Sequence, residues 1–123
     1  MDSIQQASSH TEAAPDGSEV RPLITGERAS LAHCTLPAGA LSKAVTHKTI
    51  EEIWYFVEGR GQVWRQRGAE ERVVDVTAGT ALRIAPGTAF QFRNTGERDL
   101  RFIVASMPPW PSNDEAVEAP AHW

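Results

Sequence analysis

One all-β domain, a small antiparallel barrel or sandwich, is the fold this sequence implies. Short β-prone runs recur at near-regular spacing, turns containing Gly or Pro separate them, and residues 20–110 hold no amphipathic helical pattern. The chain has 123 residues, 41% hydrophobic and 23% charged, which supplies one core and not two.

The strands follow in order. Ser30–Leu36 is a β-prone run ended by Pro37-Ala38-Gly39, and Ala40–His47 follows it. Glu52–Val57 reads Glu-Ile-Trp-Tyr-Phe-Val, the strongest strand signal in the chain. Gly59-Arg60-Gly61 turns into Gln62–Gln66, and Arg67-Gly68-Ala69 turns into Glu71–Val76. Thr80–Ile84, Ala89–Arg93 and Leu100–Met107 complete the set, separated by Ala85-Pro86-Gly87-Thr88 and Asn94-Thr95-Gly96-Glu97. Residues 1–19 show neither period and read as an acidic, mobile tail. Residues 20–110 form the barrel, and 111–123 a second acidic tail beginning in the run Pro108-Pro109-Trp110-Pro111. Those prolines cannot continue a ladder, so Trp110 should anchor the segment on the barrel or on a neighbouring subunit.

Charge is unevenly placed. The net charge is −4, yet residues 1–19 contribute −4 and residues 111–123 contribute −3, leaving the middle at +3. A surplus so small and scattered excludes a general nucleic-acid binder, which needs clustered Lys and Arg. It is compatible with a small anionic ligand. No run approaches the roughly 20 apolar residues of a membrane helix, so no membrane partner is expected. Cys34 stands alone and cannot form an internal disulfide or a cysteine-rich zinc site. The N-terminus has no basic-then-apolar signal pattern, so a cytoplasmic location is expected.

Two segments share a spacing grammar. In the first, Gly39, Val45, His47, Glu52 and Gly59 are separated by five, one, four and six residues. In the second, Gly79, Ala85, Gly87, Phe90 and Asn94 are separated by five, one, two and three. These intervals resemble the two halves of the cupin signature, over roughly residues 28–107. The resemblance implies a single-domain antiparallel β-barrel of the jelly-roll type, usually dimeric. A barrel of about 90 residues with open sheet edges also points to a homodimer.

Metal-binding cupins hold a divalent ion with two His and a Glu from the first half and a His from the second. On that pattern His47 and Glu52 are retained as metal ligands, while Val45 and Phe90 occupy the other two His positions. The ligand set is therefore degenerate, two of four. Catalytic metal sites usually keep three protein ligands; Cys34, His33 or Glu51 are the residues available to complete this one.

Strand alternation puts Glu52, Trp54 and Phe56 on one face, with Ile53, Tyr55 and Val57 opposite, and sets Phe90 with Phe92. The resemblance turns Glu52 inward, so the expected small-molecule pocket centres on His47 and Glu52 with Val45, Trp54, Phe56, Phe90 and Phe92 around them. Tyr55 then faces outward, toward solvent or a second subunit. Arg83 would bind a carboxylate or phosphate if inward, and would be solvated if outward.

Three functions stand side by side: a metal-dependent enzyme, a metal-free enzyme with His47 and Glu52 as a hydrogen-bonded acid/base pair, and a non-catalytic ligand-binding module. A fourth reading makes the pair an inert remnant of a metal site.

Overall fold

The computed structural model describes all 123 residues. Eleven strands make two antiparallel sheets. They are β1 (Glu12–Ala13), β2 (Glu19–Thr25), β3 (Ser30–Leu36), β4 (Val45–His47), β5 (Glu51–Glu58) and β6 (Arg60–Arg67), then β7 (Glu70–Thr77), β8 (Ala81–Ile84), β9 (Ala89–Asn94), β10 (Leu100–Met107) and β11 (Ala116–Glu118). One sheet has the order β1-β2-β3-β10-β5-β8, the other β11-β4-β9-β6-β7. Two single-turn 3₁₀ segments, Gln6–Ser8 and Asn113–Glu115, are the only helical pieces. No helix is long and apolar enough to cross a membrane.

Alternation builds the core. On β10 the inward residues Phe102, Val104 and Ser106 stand opposite Phe56, Trp54 and Glu52 of β5. Within that sheet Trp54 stacks on Phe102 of the neighbouring strand, with ring centroids 4.6 Å apart, and across the space between the sheets it meets Phe90 and Phe92 edge-on, each at 5.3 Å. Phe56, Phe90, Phe92 and Phe102 are fully or almost fully buried. Burial of each such phenylalanine stabilises the fold by about 1.5–3 kcal/mol. The outward residues Ile53, Tyr55 and Val57 remain 47%, 50% and 39% exposed.

The β5–β6 corner, where the chain passes between sheets, depends on two glycines. Gly59 has φ +84°, and a Cβ there would strike the Asp99 carbonyl. At Gly61 a Cβ would strike the Arg93 carbonyl and the Leu100 side chain.

Several elements differ from the sequence reading. β2 carries Pro22 and a register shift beside it, and this interruption hides its alternation. Of Ala40–His47, only Val45–His47 is a strand; Leu41 makes an isolated bridge to Arg93, and the Ser42 hydroxyl accepts from the Phe92 N–H at 2.9 Å.

Neither end behaves as a free tail throughout. Glu12 and Ala13 pair with Val20 and Glu19, and the Lys43 N–H donates to the Asp16 carbonyl at 2.6 Å. At the other end β11 pairs with β4. Glu115, buried, accepts from the N–H groups of Thr49 and Ile50. Beyond it, the N–H groups of His122 and Trp123 both donate to the Gln91 side-chain oxygen, and His122 stacks on Trp64 at 5.1 Å. These contacts use ladders of two and three residues and single polar side chains, which leave no period in a sequence.

Candidate functional site: a buried His-Glu pair at a walled cavity

β4 and β5 bring His47 and Glu52 together. The Gly87 N–H donates to the His47 carbonyl at 2.9 Å, tying β4 to the Ala85–Thr88 turn. Glu52 lies on β5 opposite Ser106. Both side chains are more than nine-tenths buried, and both line a cavity of about 260 Å³. Val45, Trp54, Phe102, Val104, Leu31 and Trp110 form much of its apolar wall.

His47 and Glu52 are not hydrogen-bonded to each other, contrary to one expectation. Nδ1 of His47 lies 3.8 Å from Oε1 of Glu52, beyond hydrogen-bond range. Glu52 is held by others: Trp54 Nε1 donates to Oε1 and Ser106 Oγ donates to Oε2, each at 2.9 Å. His47 Nδ1 is buried with no partner at all. Its ring is gripped edge-on by Phe90 and Trp110, each with centroids 5.0 Å away.

Burial decides the protonation states. It pushes the Glu52 carboxyl up to about 7, against the pull of the Trp54 and Ser106 hydrogen bonds and with a further push from the Asp16 charge. It pushes His47 down to about 4, against the attraction of Glu115. From about pH 4 to 7 the pair is therefore an uncharged imidazole beside an uncharged acid, not an ion pair.

The other sequence candidates divide. Val45 and Trp54 line the cavity, but Phe56, Phe90 and Phe92 do not; they form the layer behind it. Cys34 reaches the cavity, and burial holds its thiol well above the usual range, followed by the charges of Asp16 and Glu52, so it stays protonated. His33 and Glu51 are not among the lining residues. Arg83 points outward to Glu51, 2.5 Å away, so the inward reading of Arg83 is wrong. Three contributors escaped the sequence reading of the site. Ser106 was legible from the alternation of Leu100–Met107. Trp110 carried only its setting among prolines, and Asp16 sat in the supposed tail.

The donor set does not make a resident transition-ion site. Val45 and Phe90 are direct partners across the β4–β9 ladder, and both are buried. The two exchanged positions thus form one continuous apolar wall where two imidazoles would stand. No three His, Cys, Asp or Glu side chains lie close enough together to hold an ion.

An antiparallel jelly-roll barrel with a walled internal cavity is the class that the fold and site define. A cupin-domain profile matches residues 32–106, and the chain belongs to the cupin family. It is 31% identical over 107 residues to the uncharacterized protein MJ1618 of Methanocaldococcus jannaschii, covering 83% of this chain and 82% of that one. Among solved structures it resembles oxalate decarboxylase from Bacillus subtilis (TM-score 0.80, 16% identity, 96% of this chain and 32% of that one). It also resembles BH2720 from Bacillus halodurans (TM-score 0.69, 24% identity, 87% and 80%). The chain spans about a third of the decarboxylase's length. At these identities the structural likeness shows the fold alone.

Proposed function

We propose that this cupin binds a small, largely apolar organic molecule in its cavity, with His47 and Glu52 as the polar end and without a resident metal ion. The observation that carries the reading is His47, on the wall of a roomy cavity, with its buried Nδ1 unpartnered. A buried polar atom left without a bond costs about 1–3 kcal/mol, and a ligand that supplies the bond recovers it. The 3.8 Å between His47 Nδ1 and Glu52 Oε1 suits one hydroxyl or amine placed about 2.8 Å from each. Oxalate, which names the decarboxylase relative, is a poor candidate: no Lys or Arg lines the cavity to meet a dianion. The same absence removes the support for the anionic ligand that the +3 middle had suggested.

A fragment screen by ligand-observed NMR, on protein prepared without chelator and analysed for metal, tests this. Neutral fragments should bind, and Ala32→Phe, which fills the cavity from β3, should abolish binding while the fold survives. Binding indifferent to Ala32→Phe would refute the pocket. A stoichiometric transition metal lost in His47→Ala would refute the metal-free reading.

A second reading is catalytic. Glu52 with a pKa near neutrality and an uncharged His47 form a proton-transfer pair suited to isomerase- or cyclase-like acid/base chemistry. Turnover of a captured ligand, abolished by Glu52→Gln with binding retained, separates an enzyme from a binding module.

The outward patch of Ile53, Tyr55 and Val57 supports a homodimer as the solution form. The patch is flanked on the same sheet by the ion pairs Arg83–Glu51 and Arg101–Glu58, whose mixed signs are compatible with a two-fold, self-complementary surface.

A further inference from the structure

Three carboxyl groups face the cavity and no cationic side chain does. Glu12 and Asp16 come from the N-terminal hairpin, and Glu52 from the barrel. Asp16 accepts both Ser18 hydrogen bonds, from N at 2.9 Å and from Oγ at 2.6 Å, through Oδ1 alone; its Oδ2 receives none. Lys43, whose stem lies beside Gly17, pairs with neither Asp16 nor Glu52. The basic neighbours of these carboxyls are two histidines, the exposed His10 at 3.6 Å from Glu12 and the buried, uncharged His47 at 3.8 Å from Glu52. Burial raises both Asp16 and Glu52, which is the response of carboxyls enclosed without a counter-charge.

A second feature points the same way. His47, 4% exposed, lines the cavity with its Nδ1 unpartnered. An uncharged imidazole has one ring nitrogen that accepts an N–H or O–H, and a cation with donors, once bound, favours the ionised form of Glu52 whose proton burial otherwise retains. The indoles of Trp54 and Trp110 line the same cavity and favour a positive charge against their rings.

We propose that the ligand of this cavity is a small organic ammonium ion, its N–H groups donating to Asp16, Glu52 and His47 and its hydrocarbon part lying against Val45, Val104 and Trp110. The assignment rests on the pocket reading above and adds the ligand's charge.

Isothermal titration with three probes of one shape decides it: cyclohexylammonium, cyclohexanol and cyclohexanecarboxylate. The ammonium should bind about tenfold or more tighter than the alcohol, as charge-assisted hydrogen bonds require, and the carboxylate should bind weakest. Asp16→Asn, which keeps an oxygen for Ser18, should bring the ammonium to the alcohol's level and leave the alcohol unchanged. Glu52→Gln, which keeps an oxygen for Trp54, serves as the second variant. If the alcohol binds as well as the ammonium, or the carboxylate better, the cation assignment falls and the pocket stands. If no probe binds, the cation assignment falls, and the pocket reading falls with it only when the fragment screen is also empty.

Discussion

At Glu52 and His47 one cause, burial, acts on two groups with opposite sign, and the consequence is measurable. Glu52 has a folded pKa of about 7 against an ordinary 4.5, so the folded state holds its proton longer than the unfolded chain. Its contribution is full below pH 4.5 and is lost as pH rises to 7. His47 has a folded pKa of about 4 against 6.5, so its contribution grows from pH 4 to 6.5. Each term is about 3 kcal/mol, and between pH 4.5 and 6.5 they oppose each other. Urea denaturation across that range should therefore find the wild type flatter than either single variant. The stability of wild type minus that of Glu52→Gln should fall by about 3 kcal/mol between pH 4.5 and 7. A difference that stays constant would mean that Glu52 titrates normally.

Single strands and corners carry the next set of consequences. Val45 on β4 and Phe90 on β9 are ladder partners, so the double variant Val45→His, Phe90→His places two imidazoles side by side next to His47 and Glu52. It should acquire about one equivalent of Zn²⁺ or a similar ion, where the wild type holds little; metal analysis after dialysis reads this out. A double variant that folds and stays metal-free would show that the register is not as described. At the β5–β6 corner, Gly61→Ala should lower stability by about 3 kcal/mol, because the backbone carbonyl of Arg93 cannot yield as a side chain would. A loss below about 1 kcal/mol in chemical denaturation would contradict that packing.

Elements with a clean alternation were legible in the sequence. Ser30–Leu36 and Leu100–Met107 have the bounds read from it, and the inward set Glu52, Trp54, Phe56 follows from parity alone. The pair at the site was legible through its spacing. Its environment was not. Trp54 turning its indole N–H to Glu52 two residues away, Trp110 closing on His47, and Asp16 returning over the cavity are contacts between side chains whose sequence separation carries no periodic signal.

For the molecule as a whole, the exposed face of β5 is the feature most easily tested. Tyr55→Glu places a charge at the centre of the Ile53, Tyr55, Val57 patch without touching the core. Sedimentation should show a dimer for the wild type and a monomer for Tyr55→Glu, with the monomer's near-UV dichroism unchanged. A monomeric wild type would overturn the dimer.

The barrel strands and the two end segments share the walling of one cavity. Phe102, Val104 and Trp54 come from the sheet, but Glu12, Asp16, Trp110 and Asn113 come from chain outside the matched cupin domain. The cavity wall is therefore shared between the matched domain, which supplies His47 and Glu52 along with the core, and the segments on either side of it. Changes in the end segments would reshape that wall while leaving the aromatic stack around Trp54 as it is. A tag or a fusion joined to either end is attached to a segment that helps to wall the cavity, and is not a neutral handle here.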